Sequence, residues 1–421
     1  MHRFFLHSKK ILIHLLFICI FFDIYSIVKI NSYCVSLFVL FVVFLLFYSG
    51  RVLSCVGVID KNIGLLTIVF IFYILLNWLL SDYSNISSAF LIIFFLLGFI
   101  GSFYFRFIIS DIYKEYAIKL FAFYLFIEAL YVIYHFCSRN FFYLPLGDLW
   151  INGYMYEGYN WIGFLPFGDT IIYRATGTFL EPSFCGQFMS IGALLHFFIY
   201  QKNCKKIYLI RSFICLFSLV LTFSGSGFVT LLFCLFCVYF YNFFSGIISL
   251  KIRRFVFISI FIYSFCVLFF LFFTEYGSKF FFWGESRLLE LCTPGAEVSG
   301  YQRFVGGFSV LYNLFKDNPL SLICGTGVGT SKYYKWLIGI EMNTNGLFRT
   351  LIEFGFLGLT YVFVLFRYIL RNNLDNISLT MVYASAAMFF FCDFWTSHYI
   401  WFIIYFINIF TLTTRSKKKL S

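Results

Sequence analysis

Arg174-Ala-Thr-Gly-Thr-Phe-Leu-Glu-Pro-Ser-Phe-Cys-Gly-Gln187 is the stretch that decides how this chain is read. It sets an arginine, two glycines and a Glu-Pro pair where a long polar loop passes into an apolar run at 183–200. Pro182 suits the first turn of a helix, where a missing N–H costs nothing. That helix start directs N–H groups and partial positive charge toward the loop. With Arg174 beside it, the junction reads as a small anion site. Gly177 allows a tight turn or a close backbone approach. Glu181 is placed to pair with Arg174, to orient it, or to accept a hydroxyl. The alternative is an interfacial arginine reaching to headgroups, with Glu-Pro merely starting a helix.

The composition outside this junction is that of a membrane protein. The 421 residues are 62% hydrophobic and 12% charged, with a mean hydropathy of +0.90. A soluble domain cannot hide that much apolar surface. The net charge of +12 reports topology, because Lys and Arg collect on the cytoplasmic side, and no nucleic acid is implied. Most Cys lie in apolar runs, as Cys234 and Cys237 do, and read as small buried hydrophobes. Cys137, Cys292 and Cys324 fall in expected outer segments, where pairing stays open. The first apolar run has a basic start and no small-residue cleavage site, so it reads as a transmembrane helix.

A spanning helix needs roughly 20 apolar residues. Runs near 11–28, 33–50, 63–80, 88–105, 117–136, 183–200, 207–222, 227–249, 255–273, 345–368, 377–394 and 398–414 qualify, which predicts about twelve spans. With both termini inside, every inner connection is basic, and these segments hold most of the 31 Lys and Arg. The chain is thus expected to be one polytopic all-α membrane domain over 1–421. Two outer loops are long, at about 137–182 and 274–344, and loops of that length usually carry function. The first is acidic on balance and the second is neutral. Any anion is therefore bound by particular arginines, not by a bulk positive field.

Three further segments carry polar chemistry. In 301–316, Phe304, Phe308, Leu311 and Phe315 recur at helical spacing opposite Gln302, Gly306, Ser309, Asn313 and Lys316. This predicts an amphipathic helix against the outer face of the membrane, with Arg303 at its start; the other reading is plain surface anchoring. Gly325, Gly327 and Gly329 imitate a nucleotide loop, but no Walker lysine follows and the glycines read as a turn. Asn345, Arg349 and Glu353 are spaced to form one polar stripe entering the membrane. An ionisable pair there is a functional candidate by default, against the alternative of an ion pair that fixes helix packing. The six His have no partner at ligand spacing, so no metal site is expected, and Ser224-Gly-Ser-Gly227 reads as a tight turn between helices.

Taken in order, these motifs form a recognisable series. It runs through Arg174-x-x-Gly-x-Phe-x-Glu-Pro-Ser183, Leu221-Thr-Phe-Ser-Gly-Ser-Gly227, the Arg303-led segment and Asn318-Pro-Leu with its glycine loop. It ends with Thr344-Asn-Gly-Leu-Phe-Arg-Thr-Leu-Ile-Glu-Phe-Gly355. Over roughly 170–365 the chain resembles the O-antigen polymerase (Wzy) and O-antigen ligase superfamily of bacterial envelope polysaccharide synthesis.

The resemblance implies a GT-C-like transmembrane glycosyltransferase of the bacterial inner membrane, with its site facing the periplasm. Such an enzyme moves a growing glycan from undecaprenyl diphosphate onto a new lipid-linked repeat unit, without nucleotide sugar, metal or other cofactor. A flippase and a chain-length regulator are its implied partners. Arg174 and Arg303 match the family's donor-binding arginines, and Arg287 is a nearby third. Glu181 and Glu353 are the motif-linked carboxylates available as a base, while Arg349, Asn345 and Gly177 fall among the substrate-binding candidates. The ligase branch carries a histidine where this chain has Thr344, which favours polymerase over ligase. A lipid-linked oligosaccharide flippase is the other alternative. It would place its charges in a central cavity between two related halves.

Overall fold

The computed structural model describes residues 2–21, 26–30, 33–36, 61–81, 111–142, 164–167, 170–179, 181–244, 305–330, 345–370 and 375–391, with a few isolated positions between them. Among these the fold is mostly helical. Its helices are α1 His2–Phe21, α2 Lys61–Leu80, α3 Asp111–Asn140, α4 Pro182–Asn203, α5 Lys206–Leu221, α6 Gly225–Phe244, α7 Gly307–Asp317, α8 Pro319–Cys324, α9 Gly346–Leu370 and α10 Asn376–Phe391. Four of them, in α3, α4, α6 and α9, are long and apolar enough to cross a membrane. The expected spans at 255–273 and 398–414, and nearly all of 88–105, lie outside the described residues.

The helix α4 is the axis of the bundle. It packs against α3, α5, α6 and α10, and α10 in turn reaches α6 and α9. Over its most apolar window α4 is 78% buried, against 28% for α6. The surrounding helices turn their apolar side chains outward. On α5, Ile207, Ile210, Phe213, Phe217 and Val220 are exposed, while Ser212, Cys215, Ser218 and Leu219 face the core. Small and weakly polar residues inside, with large apolar ones outside, suit helices packed in lipid, and exposed apolar stripes of this size are rare on soluble monomers.

Small residues set the closest approach. A Cβ on Gly227 would lie 2.7 Å from the Gly186 carbonyl carbon, and one on Gly186 would lie 2.6 Å from Ser224 Cβ. The α4–α6 crossing is therefore backbone on backbone. Ser190 Oγ seals it, donating to the Gly227 carbonyl at 2.7 Å. The tight turn expected at Ser224-Gly-Ser-Gly227 falls earlier, on Thr222, Phe223 and Ser224, while Gly225–Gly227 are the first turn of α6 and serve as a packing device against α4.

Two hairpins depart from the expected pattern. Residues Ser26–Ile30 (β1) pair antiparallel with Tyr33–Ser36 (β2), where apolar content alone predicts the end of one span and the start of the next. Ile27, Val28, Ile30 and Val35 are β-branched, and Asn31-Ser32 between the strands is turn-forming in sequence. Short apolar runs of this kind do not discriminate strand from helix. Within the long loop expected at 137–182, Phe164–Phe167 (β3) pairs with Thr170–Tyr173 (β4), which leads directly into Arg174.

Candidate active site

The loop at 173–179 hangs between α3 and the α5–α6 turn. On the α3 side, the Asn140 amide brackets Tyr173 like a neighbouring strand. Its Oδ1 accepts from the Tyr173 N–H at 2.8 Å, and its Nδ2 donates to the Tyr173 carbonyl at 2.9 Å. His135 Nδ1 accepts from the Gly177 N–H at 3.2 Å. Glu128 takes both donors of Thr178, the N–H on Oε1 at 2.7 Å and the hydroxyl on Oε2 at 3.0 Å. On the other side, the Ala175 N–H donates to the Leu221 carbonyl at 3.2 Å. Arg174 Nε donates to the Thr222 carbonyl at 3.1 Å. Arg174 is half-buried and fixed by backbone, which supports an arginine built into the fold over one merely reaching for headgroups.

Gly177 has φ +59, the left-handed region, and a Cβ there would strike the Glu128 carboxylate and Val132. Both reasons for glycine named from the sequence, a turn and a close approach, act at this position. Pro182 occupies the first turn of α4 with Glu181 as N-cap. Ser183 Oγ donates to the Glu181 carboxylate at 2.8 Å. The end of α3, the start of α4 and the α5–α6 turn therefore meet at one end of the bundle, with Arg174, Gly177 and Glu181 among them.

A second cluster is built on α9. Asn345 caps this helix, its Oδ1 accepting from the Phe348 N–H at 2.9 Å, so its described role is to start the helix. One turn further, Arg349 Nε donates to Glu353 Oε1 at 2.9 Å, with the two side chains 4% and 0% exposed. The helix breaks two residues later, at Gly355, with φ 62 and ψ −163. A break strands carbonyls, and neighbouring groups satisfy them. Thr326 donates its N–H and its hydroxyl to the Ile352 carbonyl at 2.9 and 2.8 Å, and the Gly327 N–H donates to the Glu353 carbonyl at 3.1 Å. The Tyr73 hydroxyl of α2 donates to the Cys324 carbonyl and lies 3.0 Å from that of Phe354. Asn77 donates to the Cys324 carbonyl at 2.6 Å. The glycine loop is hence a cap for a broken helix. A Cβ on Gly325 would lie 2.5 Å from the Phe354 nitrogen.

The helix α7 docks on α9 mainly through a face other than the Phe stripe, although Leu311 packs at its edge and Phe308 meets the Phe348 ring edge-on. Gly307, Val310 and Leu314 are its buried face and pack with Phe348 and Ile352, while Phe308, Tyr312 and Phe315 are exposed. Two apolar faces exist, and the aromatic periodicity marks only the outer one.

Arg303 and Arg287 lie outside the described residues. The remaining candidates fall into two groups, Arg174 with Gly177 and Glu181, and Asn345 with Arg349 and Glu353. The helix α10 packs against the helix at the base of each, α4 and α9. Among the described residues no three His, Cys, Asp or Glu side chains gather to hold a metal. Glu128 belongs to none of the sequence motifs. Its signal was available, since it is the lone carboxylate in the apolar run at 117–136, and such a carboxylate is a functional candidate.

Compared with models of protein families, with curated proteins and with solved structures, the chain finds no match.

Proposed function

We propose that this chain is an inner-membrane polysaccharide polymerase with about twelve spans, both termini cytoplasmic and a GT-C-like plan. It transfers a growing glycan from undecaprenyl diphosphate to a new lipid-linked repeat unit on the outer side. The observation that carries the proposal is Arg174, anchored by the Thr222 carbonyl on a loop clamped from both sides. A departing diphosphate gains charge in the transition state, and a preorganised guanidinium stabilises it most there. In this reading Arg303 and Arg287 complete the anion site. Glu181 is the nearer candidate base, because it shares the loop with Arg174. Arg349 and Glu353, paired and buried, orient the second wall. The lipid tail runs along the bilayer beside the exposed aromatic face of α7.

The test is complementation in a strain lacking this gene, with surface glycan resolved by size and membrane level checked. Arg174→Ala should collapse the long-chain ladder to single capped repeats, with losses on the order of 100-fold. Arg174→Lys should not restore it, since an ammonium lacks the planar fork. Loss of the single capped repeats as well would mean that export or ligation is the missing step, the flippase or ligase reading. An intact ladder would sink the site assignment.

A further inference from the structure

We infer that Glu128 is a positioning residue for Arg174, resting on the polymerase reading for its consequence but not for its geometry. Glu128 lies inside a candidate membrane-spanning helix and is 3% exposed. A carboxylate there is costly unless its oxygens are satisfied. Both oxygens are spent on one residue, Thr178, through its N–H and its hydroxyl. His135, two turns along the same face of α3, takes the preceding N–H, that of Gly177. A nitrogen that accepts carries no proton, so in this contact His135 is held with its proton on Nε2. Successive amides of one loop are thereby clasped by two side chains of one helix.

The clasp fixes the loop at a point where its backbone has little freedom of its own choosing. Gly177 adopts the left-handed region, and the space a Cβ would occupy is filled by the Glu128 carboxylate and Val132. From there the chain runs back through buried Thr176 and Ala175 to Arg174. The Ala175 N–H and Arg174 Nε are tied to the adjacent carbonyls of Leu221 and Thr222. Releasing Thr178 frees one end of this short span, and the guanidinium is at the other. Misplacement by about 1 Å is enough to cost about 100-fold in a positioned reaction.

The experiment has two readouts on full-length protein. The first is amide hydrogen exchange of the 173–179 segment in nanodiscs, which needs no substrate. Wild type and Glu128→Gln should protect it, because the amide side chain keeps an acceptor for the Thr178 N–H. Glu128→Ala should lose protection there and not in α4 or α6. The second is the glycan ladder. Glu128→Gln should retain most of it, Glu128→Ala should lose it about as fully as Arg174→Ala, and the double variant should be no worse than either. Should Glu128→Ala fail to reach the membrane, Thr178→Val removes only the hydroxyl bond and should give an intermediate loss of both protection and ladder.

Unchanged exchange in Glu128→Ala would overturn the clasp. Loss of the ladder in Glu128→Gln with protection intact would also overturn it, since the charge and not the position would matter. An intact ladder in Arg174→Ala would refute the polymerase site while leaving the exchange result to judge the clasp.

Discussion

Arg349 and Glu353 form a 2.9 Å ion pair, one helical turn apart and almost wholly buried, just before α9 breaks at Gly355. Each charge is a liability without the other. Removing one partner of a buried pair costs about 3–5 kcal/mol, whereas replacing both with apolar residues of similar size is often neutral. Glu353→Ala should therefore lower the unfolding midpoint in detergent sharply. Arg349→Met with Glu353→Leu should recover most of it. If the pair serves the proposed reaction, the recovered double variant still yields no long-chain glycan. A full ladder from the double variant would reduce the pair to a packing element.

The break itself predicts a second outcome. Gly355 and Gly325 both have positive φ, and each lies against backbone of the other's segment across the α8–α9 contact, Gly325 against Glu353 and Phe354 and Gly355 against Ile323 and Gly325. Alanine at Gly355 meets the backbone around Ile323 and also a backbone region that side chains disfavour. Gly355→Ala should cost about 1–3 kcal/mol and loosen the Thr326 and Gly327 caps. Faster exchange of those two amides, measured against Arg349 on the regular turn before the break, is the expected signature.

The sequence showed where the helices lie more clearly than how they are used. Runs such as 183–200 and 207–222 became α4 and α5 because their length and apolarity leave few alternatives. The hairpin at 26–36 was lost to the same criterion, since a short β-branched run satisfies it equally. Gly325 and Gly355 were visible as separate motifs, but their contact is long-range and no local pattern encodes it. Glu128 was visible as a lone carboxylate in an apolar run, but its role was not. Its partner, Thr178, is an ordinary loop threonine, and only the fold brings the two together. On α7 the aromatic stripe is the more regular pattern in sequence, while burial follows Gly307, Val310 and Leu314.

Two threonines on the Arg174 loop should behave oppositely. Thr178 spends its hydroxyl on Glu128. Thr176 is fully buried, and its hydroxyl has no hydrogen-bond partner among the described residues. An unmet buried polar group costs about 1–3 kcal/mol, and removing it relieves that cost. Thr176→Val should leave the unfolding midpoint unchanged or raise it, whereas Thr178→Val should lower it. A lower midpoint for Thr176→Val would mean that its hydroxyl is satisfied in the membrane-embedded protein, for instance by water.

The α4–α6 crossing gives the sharpest steric prediction. A methyl at Gly186 falls on Ser224, 2.6 Å from its Cβ and 2.8 Å from its Oγ. Ser224 also accepts from the Gly227 N–H at 3.1 Å, so it cannot rotate away without releasing the start of α6. Overpacking of this kind costs about 1–3 kcal/mol, and Gly186→Ala should show it as a lower midpoint. Ser224→Gly removes the obstructing side chain and, with it, the bond to Gly227. The double variant should therefore recover part of the loss but not all, because the clash is relieved and the cap is not replaced. The Thr222 carbonyl that holds Arg174 lies in the same turn, so the glycan ladder should follow the midpoint across the three variants. A ladder restored in full by the double variant would separate that anchor from the packing of the crossing.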